Sequence, residues 1–269
     1  MQLLEGKVGF VTGAGHGQGR THAVRMAQEG ANLILCDICA PIPQTQAPMA
    51  TYEELEETAR LVEAAGGQVV FGIADVRDRA AVQAIVDKGL AKFGSVDVVS
   101  ANAGIWKPTP FLDIVDDEYD AIVDTSMRGA WNTCKAVVPS MIANGRGGSI
   151  VITSSAAGIR GQAPWAHYAA AKHAVVGLMR SLANELAKYS IRVNTVHPTG
   201  VATFMGMQPV VAEMVEKEPL FLMGAANMLP IDVIQPEDVS NAVVWLMSDQ
   251  AQWVTGVALP VDAGNTNKP

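Results

Sequence analysis

The stretch Val8-Gly9-Phe10-Val11-Thr12-Gly13-Ala14-Gly15-His16-Gly17-Gln18-Gly19-Arg20 decides how this chain reads. Val8–Thr12 is a short apolar run of the kind that forms a buried strand. Gly13, Gly17 and Gly19 follow in a G-x-x-x-G-x-G spacing, with Gly15, His16 and Gln18 between them. Glycines at a strand-to-helix turn permit a tight bend and let backbone approach a pyrophosphate, whose charge then faces the next helix N-terminus. The spacing is not G-x-G-x-x-G. No Gly-Lys-Ser/Thr follows, which sets a Walker loop aside. An ordinary glycine-rich turn is the plain alternative, and position weighs against it. Asp37 ends the next apolar run, about 20 residues on, where an acid can bind the adenosine ribose hydroxyls. That carboxylate would repel a 2′-phosphate, which favours NAD over NADP. Arg20 leaves a partner for such a phosphate open.

Outward from this turn, apolar runs alternate with helical patterns. Val8–Thr12, Leu33–Asp37, Val69–Ala74, Val96–Ala101, Ser149–Ser154, Arg192–Val196 and Val257–Pro260 read as strands. Their nearly continuous apolar character suits a sheet covered on both faces. Helical patterns lie near His22–Glu29, Tyr52–Ala65, Arg79–Lys92, Asp117–Ala143, Trp165–Tyr189 and Pro236–Ser248. The alternation predicts an α/β fold of the Rossmann type: a doubly wound parallel sheet of about seven strands with helices on both faces. No shift in composition divides residues 1–269, so one dinucleotide-binding domain is expected. Two segments break the rhythm. Residues 38–50 carry Pro41, Pro43 and Pro48, after which Thr51 and Glu54 form a capping-box signature. Residues 202–235 form a long expected loop with Met205, Met207, Met214, Met223 and Met228, which fill core or line an adaptable pocket.

With 49% apolar and 17% charged residues, the 269-residue chain can bury a large core. A formal net charge of -8 argues against nucleic acid as a partner. No run approaches the ~18–20 apolar residues of a membrane helix, and Met1 to Gly6 lacks the features of a signal peptide. A cytoplasmic protein is expected. Cys36 and Cys39 form a C-x-x-C, read as two small residues at a strand end, because no second pair accompanies them. Cys134 is expected in the core. His16 and His197 read as loop histidines without metal partners, and no catalytic metal is expected.

Tyr168 and Lys172 stand four residues apart, so a helix places them on one face. A free phenol has a pKa near ~10, and a nearby cation lowers it toward working pH. Ser155 lies thirteen residues before Tyr168, at the mouth of a strand. Beside a dinucleotide, such a group suits hydride and proton transfer at a carbon bearing oxygen. The plain alternatives are a strand-end turn for Ser155 and a half-buried helix residue for Tyr168.

These motifs together resemble the short-chain dehydrogenase/reductases, over roughly Lys7 to Gly264. The resemblance rests on the glycine turn, Asp75-Val76, Asn102-Ala103-Gly104, Ser155, Tyr168-x-x-x-Lys172, and Pro198 with Thr203. It implies that Ser155 binds the substrate oxygen, Tyr168 removes its proton, and Lys172 lowers the tyrosine pKa and binds the nicotinamide ribose. It implies that Asp75 and Val76 flank the adenine, that Asn102, Ala103 and Gly104 close the cleft, and that Thr203, with Val201 nearby, holds the carboxamide. Ile38, following Asp37, joins the adenosine side. The proline-bearing segment after Asp37 resembles a narrower, mycofactocin-coupled, carveol-dehydrogenase-like group. That likeness implies retained NAD, reoxidised by mycofactocin, on an enzyme acting on a secondary alcohol or its ketone. Residues 38–50 would then fold over the adenosine, a decorative surface loop being the competitor. The family also implies a homotetramer.

One departure stands out. The family's usual Asn on the long central helix, three residues before Gly129, is Ser126 here. That Asn holds a water beside the lysine, so the proton relay is in question, and Ser126→Asn is expected to preserve or raise activity. His167 is expected to be a pocket-wall or structural histidine, since adjacent helix residues point different ways. Ile105, Trp106, Ala157, Trp165, Met205, Phe221 and Leu222 are candidate walls for an apolar, cyclic or terpenoid, substrate. A non-catalytic NAD sensor and an ordinary enzyme with exchangeable NAD(P) are the competing readings.

Overall fold

The computed structural model describes residues 2–217, 221 and 224–268, so Met1, Leu222 and Met223 lie outside the described residues. Strands β1 (Val8–Thr12), β2 (Asn32–Asp37), β3 (Val69–Ile73), β4 (Val98–Ala101), β5 (Gly148–Thr153), β6 (Ile191–Pro198) and β7 (Ala258–Val261) form one sheet. Its order is β3-β2-β1-β4-β5-β6-β7, and every neighbouring pair is parallel. The chain leaves β1 toward β2 and resumes on the other side at β4. The crevice beyond the ends of β1 and β4 is therefore the topological switch point, where ligands bind in open α/β sheets.

Helices α1 (Gly17–Gln28), α2 (Tyr52–Ala64), α3 (Arg79–Phe93), α4 (Asp116–Val123), α5 (Gly129–Asn144), α6 (Ala166–Leu186), α7 (Pro209–Lys217) and α8 (Pro236–Met247) cover the sheet and its rim. Side chains alternate along each strand, so Phe10, Ile34, Val99 and Ile150 bury against α3, α5 and α6, while Val11, Leu33 and Leu35 bury against α1, α2 and α8. Each fully buried Leu, Ile or Val stabilises the fold by about 1.5–3 kcal/mol. A third apolar cluster, with Ile42, Ile105, Ile122, Trp165, Tyr168 and Met214, sits under the crevice.

Local chemistry explains most boundaries. Thr51 accepts the Glu54 N–H and Glu54 accepts the Thr51 N–H, completing the capping box that opens α2. Gly94 and Gly145 close α3 and α5 in the left-handed conformation. Three expectations need correction. The helix expected over 117–143 is broken by a π turn at Asp124–Arg128, because an extra residue is accommodated there and no side-chain pattern announces it. Residues 202–235 are not all loop: Pro209–Lys217 is helical, with Val210 and Met214 buried against the third cluster. His197 lies inside β6 rather than in a loop, since pairing with β7 carries that strand to Pro198.

Candidate active site

A cavity of about 360 Å³ runs along the C-terminal ends of β1, β2, β4, β5 and β6. The glycine turn forms one end. Gly13 has a φ of +67°, and a Cβ on it would stand 2.9 Å from the Ala103 backbone. A Cβ on Gly19 would stand 1.9 Å from the Gly13 carbonyl oxygen, so both positions exclude side chains. His16 precedes α1 without a side-chain hydrogen bond to the helix, which leaves the first-turn N–H groups to whatever enters the cavity. Asp37 is 6% exposed and accepts the Gly15 N–H at 2.9 Å and the Cys39 N–H at 3.3 Å. Arg20 is directed toward the protein through Nε and Nη2. Its guanidinium donates to the carbonyls of Gly15 and Glu54 and to Thr58 Oγ1, which ties the turn to α2.

Further along, Asn102 donates to the Thr12 and Gly13 carbonyls and accepts from Thr153 Oγ1, which gathers the ends of β1, β4 and β5. Asp75 pairs with Arg77 through both carboxylate oxygens. At the other end stand Ser155, Tyr168 and Lys172. Ser155 caps a short 3-10 turn by accepting the Ala157 N–H, and its own carbonyl accepts from His197 Nδ1 at 2.7 Å. Burial pushes the His197 ring down to about 4, so it is neutral at working pH. Tyr168 and Lys172 project from one face of α6, with Lys172 Nζ 5.5 Å from the Tyr168 ring centre. Nζ donates to the Thr153 carbonyl at 2.9 Å.

The expected acidification of the phenol is not a property of the chain alone. Burial raises the Tyr168 pKa to about 12, with the Ser155 hydroxyl pulling weakly the other way. Burial likewise lowers Lys172 to about 8. Desolvation outweighs a cation directed at a carbonyl rather than at the phenol oxygen.

Of the residues singled out by sequence, Gly13, His16, Gly17, Gln18, Gly19, Asp37, Ile38, Asp75, Val76, Asn102, Ala103, Gly104, Ser155, Tyr168, Lys172, Val201 and Thr203 all line this cavity. Gly15 and Ser126 do not. Gly15 supports Asp37 from behind, and a Cβ there would meet the Ala50 Cβ at 2.4 Å. Ser126 is buried in the π turn, and its Oγ makes no hydrogen bond to protein. It lies behind Gly104, whose added Cβ would stand 3.9 Å from Ser126 Oγ and 3.3 Å from Lys172 Nζ.

Ile105, Trp106, Trp165, Met205 and Phe221 form the apolar wall, with Trp165 in edge contact with both Trp106 and Phe221. Ala157 is fully buried and is not a wall residue. His167 does not line the cavity: its Nε2 meets Glu118 Oε1 at 3.1 Å. Cys36 and Cys39 carry no redox pair's low-pKa thiol, since burial pushes both thiols up, Cys39 to about 12. Among the described residues no three His, Cys, Asp or Glu side chains cluster as a metal site.

Sequence reasoning missed Ile42, Met49 and Ala50 of the inserted segment, and Gln162 and Asn265, all of which line the cavity. Gln162 falls between Ser155 and Tyr168, a position that invited attention; Asn265 had no local signal.

Residues 13–266 match a family model described as enoyl-(acyl carrier protein) reductase, and the chain belongs to the short-chain dehydrogenase/reductase family. Within it, the chain is 44% identical to the (-)-trans-carveol dehydrogenase of Rhodococcus erythropolis, over 100% of both proteins. A Mycobacterium avium carveol dehydrogenase crystallised with NAD matches with a TM-score of 0.95 at 42% identity, covering 100% of both chains. A short chain dehydrogenase from Mycobacterium paratuberculosis bound to NAD matches with a TM-score of 0.96 at 44% identity, covering 99% of this chain and 100% of that one.

Proposed function

We propose that this chain is a carveol-dehydrogenase-like, NAD-dependent oxidoreductase acting on CH–OH groups, which interconverts a secondary alcohol and its ketone. The observation that carries the reading is that the glycine turn, Asp37 and the Ser155–Tyr168–Lys172 group all open onto one cavity. The residues fit the dinucleotide. The uncapped start of α1 suits a pyrophosphate, and the Asp37 carboxylate suits free ribose hydroxyls and opposes a 2′-phosphate. Gly13, Gly15, His16, Gly17, Gln18 and Gly19 would cradle the phosphates, Ile38, Asp75 and Val76 the adenosine, and Asn102, Ala103, Gly104, Val201 and Thr203 the nicotinamide half.

When bound, NAD supplies a hydride acceptor and, in its oxidised form, a positive ring. The side chains do the rest. Ser155 Oγ holds the substrate oxygen. Tyr168 takes its proton, and Lys172 keeps positive charge near the phenol while binding the ribose. Ser126, behind Gly104, would position a water toward Lys172 in place of the usual Asn. The aromatic wall favours an apolar, cyclic alcohol.

The finer reading is that NAD stays bound between turnovers and mycofactocin takes its electrons. Its support is the inserted segment, which closes on the glycine turn: Ala50 packs at Gly15, and the Pro48 carbonyl meets His16 Nε2 at 3.2 Å. A homotetramer in the cytoplasm completes the proposal; no helix among the described residues is long and apolar enough to cross a membrane. A panel of secondary alcohols assayed with a dye acceptor and then with added NAD tests the reading. Turnover with dye and not with added NAD supports retention. Free turnover with NAD points to an ordinary exchangeable enzyme, and none with either overturns the function.

A further inference from the structure

We propose that Gln208 is a positioning residue that locks the adenosine side and the substrate side of the cleft together, so that the two open as a unit. Gln208 is 2% exposed, and its amide is fully used. Oε1 faces Thr45 Oγ1 at 3.1 Å and accepts the Gln46 N–H at 3.0 Å. Nε2 donates to the Trp106 carbonyl at 2.8 Å and to the Met205 carbonyl at 2.9 Å. Gln46 answers from the inserted segment, its Oε1 accepting the Val210 N–H at 3.1 Å. Thr45 Oγ1 also lies 3.2 Å from the Trp106 carbonyl, so its single proton serves one acceptor or the other.

One buried amide thus joins segments that are far apart in the chain: residues 38–50 after β2, the turn after β4 that carries Trp106, and the start of the segment after β6. Each also lines the cavity, through Ile42 and Met49, through Ile105 and Trp106, and through Met205 and Gly206. A buried amide with partners on both its oxygen and its nitrogen holds a single arrangement, and breaking it leaves polar groups without partners. The inserted segment therefore cannot lift from the dinucleotide side without stripping Gln208 Oε1 of its partners, and the same amide holds the Trp106 and Met205 carbonyls on the substrate side. A ligand on either side steadies the same roof.

The inference rests on the reading of the cavity as a dinucleotide and alcohol site, but does not require that NAD be permanently held. Gln208→Met keeps side-chain length and removes all the hydrogen bonds; Thr45→Val removes one partner. Amide hydrogen exchange at Gln46 and Val210, in the purified protein without added ligand, should quicken about ten-fold or more in Gln208→Met. NADH, followed by its fluorescence in a chase with excess NAD, should leave about ten-fold faster. The alcohol KM should rise about five-fold or more while kcat stays within about two-fold, the pattern of lost positioning. Thr45→Val should move each readout less, and the double variant should be no worse than Gln208→Met alone, because both act through one lock. Unchanged Gln46 exchange in Gln208→Met overturns the proposal. So does a lowered Tm with NADH release and KM both unaltered, which makes Gln208 merely structural. Should the wild-type protein bind neither NADH nor alcohol, the functional reading fails separately, while the exchange measurement still reads the lock.

Discussion

Lys172 gives its ammonium to the Thr153 carbonyl, 2.9 Å away, and only flanks the Tyr168 ring, 5.5 Å from its centre. The lysine is therefore held by the end of β5 rather than by the tyrosine. It fixes a positive charge at the floor of the cleft, where the ring and ribose of a dinucleotide would complete the field around the phenol.

This arrangement sets a pH dependence. Oxidation of an alcohol needs the phenolate, and burial holds Tyr168 near 12 in the chain alone, so the phenolate population grows as pH rises. Initial rates of alcohol oxidation should climb through the alkaline range, with ketone reduction falling over the same range. Lys172→Met should move the rising limb further up. Tyr168→Phe should lower kcat by about 10²–10⁴-fold. A Tyr168→Phe enzyme close to wild type would falsify the assigned base.

Ser126→Ala separates structure from relay. The hydroxyl is buried and bonds to no protein group, so its removal should leave Tm within about 1 °C and ΔG within about 0.5 kcal/mol. If it positions a water beside Lys172, kcat should still drop several-fold. Unchanged kcat assigns the residue no part in the relay.

Gly15→Ala tests the contact between the glycine turn and the inserted segment. The new Cβ would stand 2.4 Å from Ala50 Cβ and 3.2 Å from an Asp37 carboxylate oxygen. Relieving that overlap should cost about 1–3 kcal/mol and push the segment outward. Thermal melts and NAD retained after desalting should both decrease; full retention would place the closure elsewhere.

The proposed role of Asp37 in cofactor choice can be tested directly. Asp37→Asn keeps the shape of the side chain and removes its charge, which opposes a 2′-phosphate. The Kd for NAD should weaken by about ten-fold, while the NAD to NADP preference narrows by more than that. Arg20 is committed through Nε and Nη2 to Gly15, Glu54 and Thr58, so it should not supply a compensating phosphate contact. Strong NADP binding by the wild type would contradict this.

Acid should destabilise the fold through its buried histidines. His22 is lowered to about 3 and His197 to about 4, both by burial. Between those values and the ordinary 6.5 the unfolded chain binds more protons than the folded one, so stability falls as pH falls. The loss should be on the order of a few kcal/mol by pH 4; the His197 part levels off below that value, and the His22 part continues to about pH 3. Denaturant melts from pH 7 to 4 measure it, and a flat midpoint would mean that these rings are not held neutral.

Much of this was legible in the chain because it is local. Apolar runs and helical patterns mark most elements to within a few residues, and the capping box at Thr51 and Glu54 reads directly. The spacing of Ser155, Tyr168 and Lys172 survives folding because a strand end and one helix face carry it. The π turn at Ser126 was not legible, since a single extra residue in a helix leaves no pattern. The helix at Pro209–Lys217 was hidden by a segment whose methionines suit either core or loop. Arg20 looked free because the carbonyls that occupy it at Glu54 and the hydroxyl of Thr58 come from another helix.

What the sequence by itself determined is the set of short-range devices: a glycine turn after β1, an acid at the end of β2, and a phenol and an amine one helical turn apart. These follow from stereochemistry within a few residues. Only the tertiary structure decided that Lys172 would serve Thr153, that burial would dominate the Tyr168 pKa, and that Gln208 would meet Thr45 across 163 positions of chain. Desolvation and buried hydrogen bonds depend on which distant segments exclude water together, and that is settled when the sheet closes its two faces.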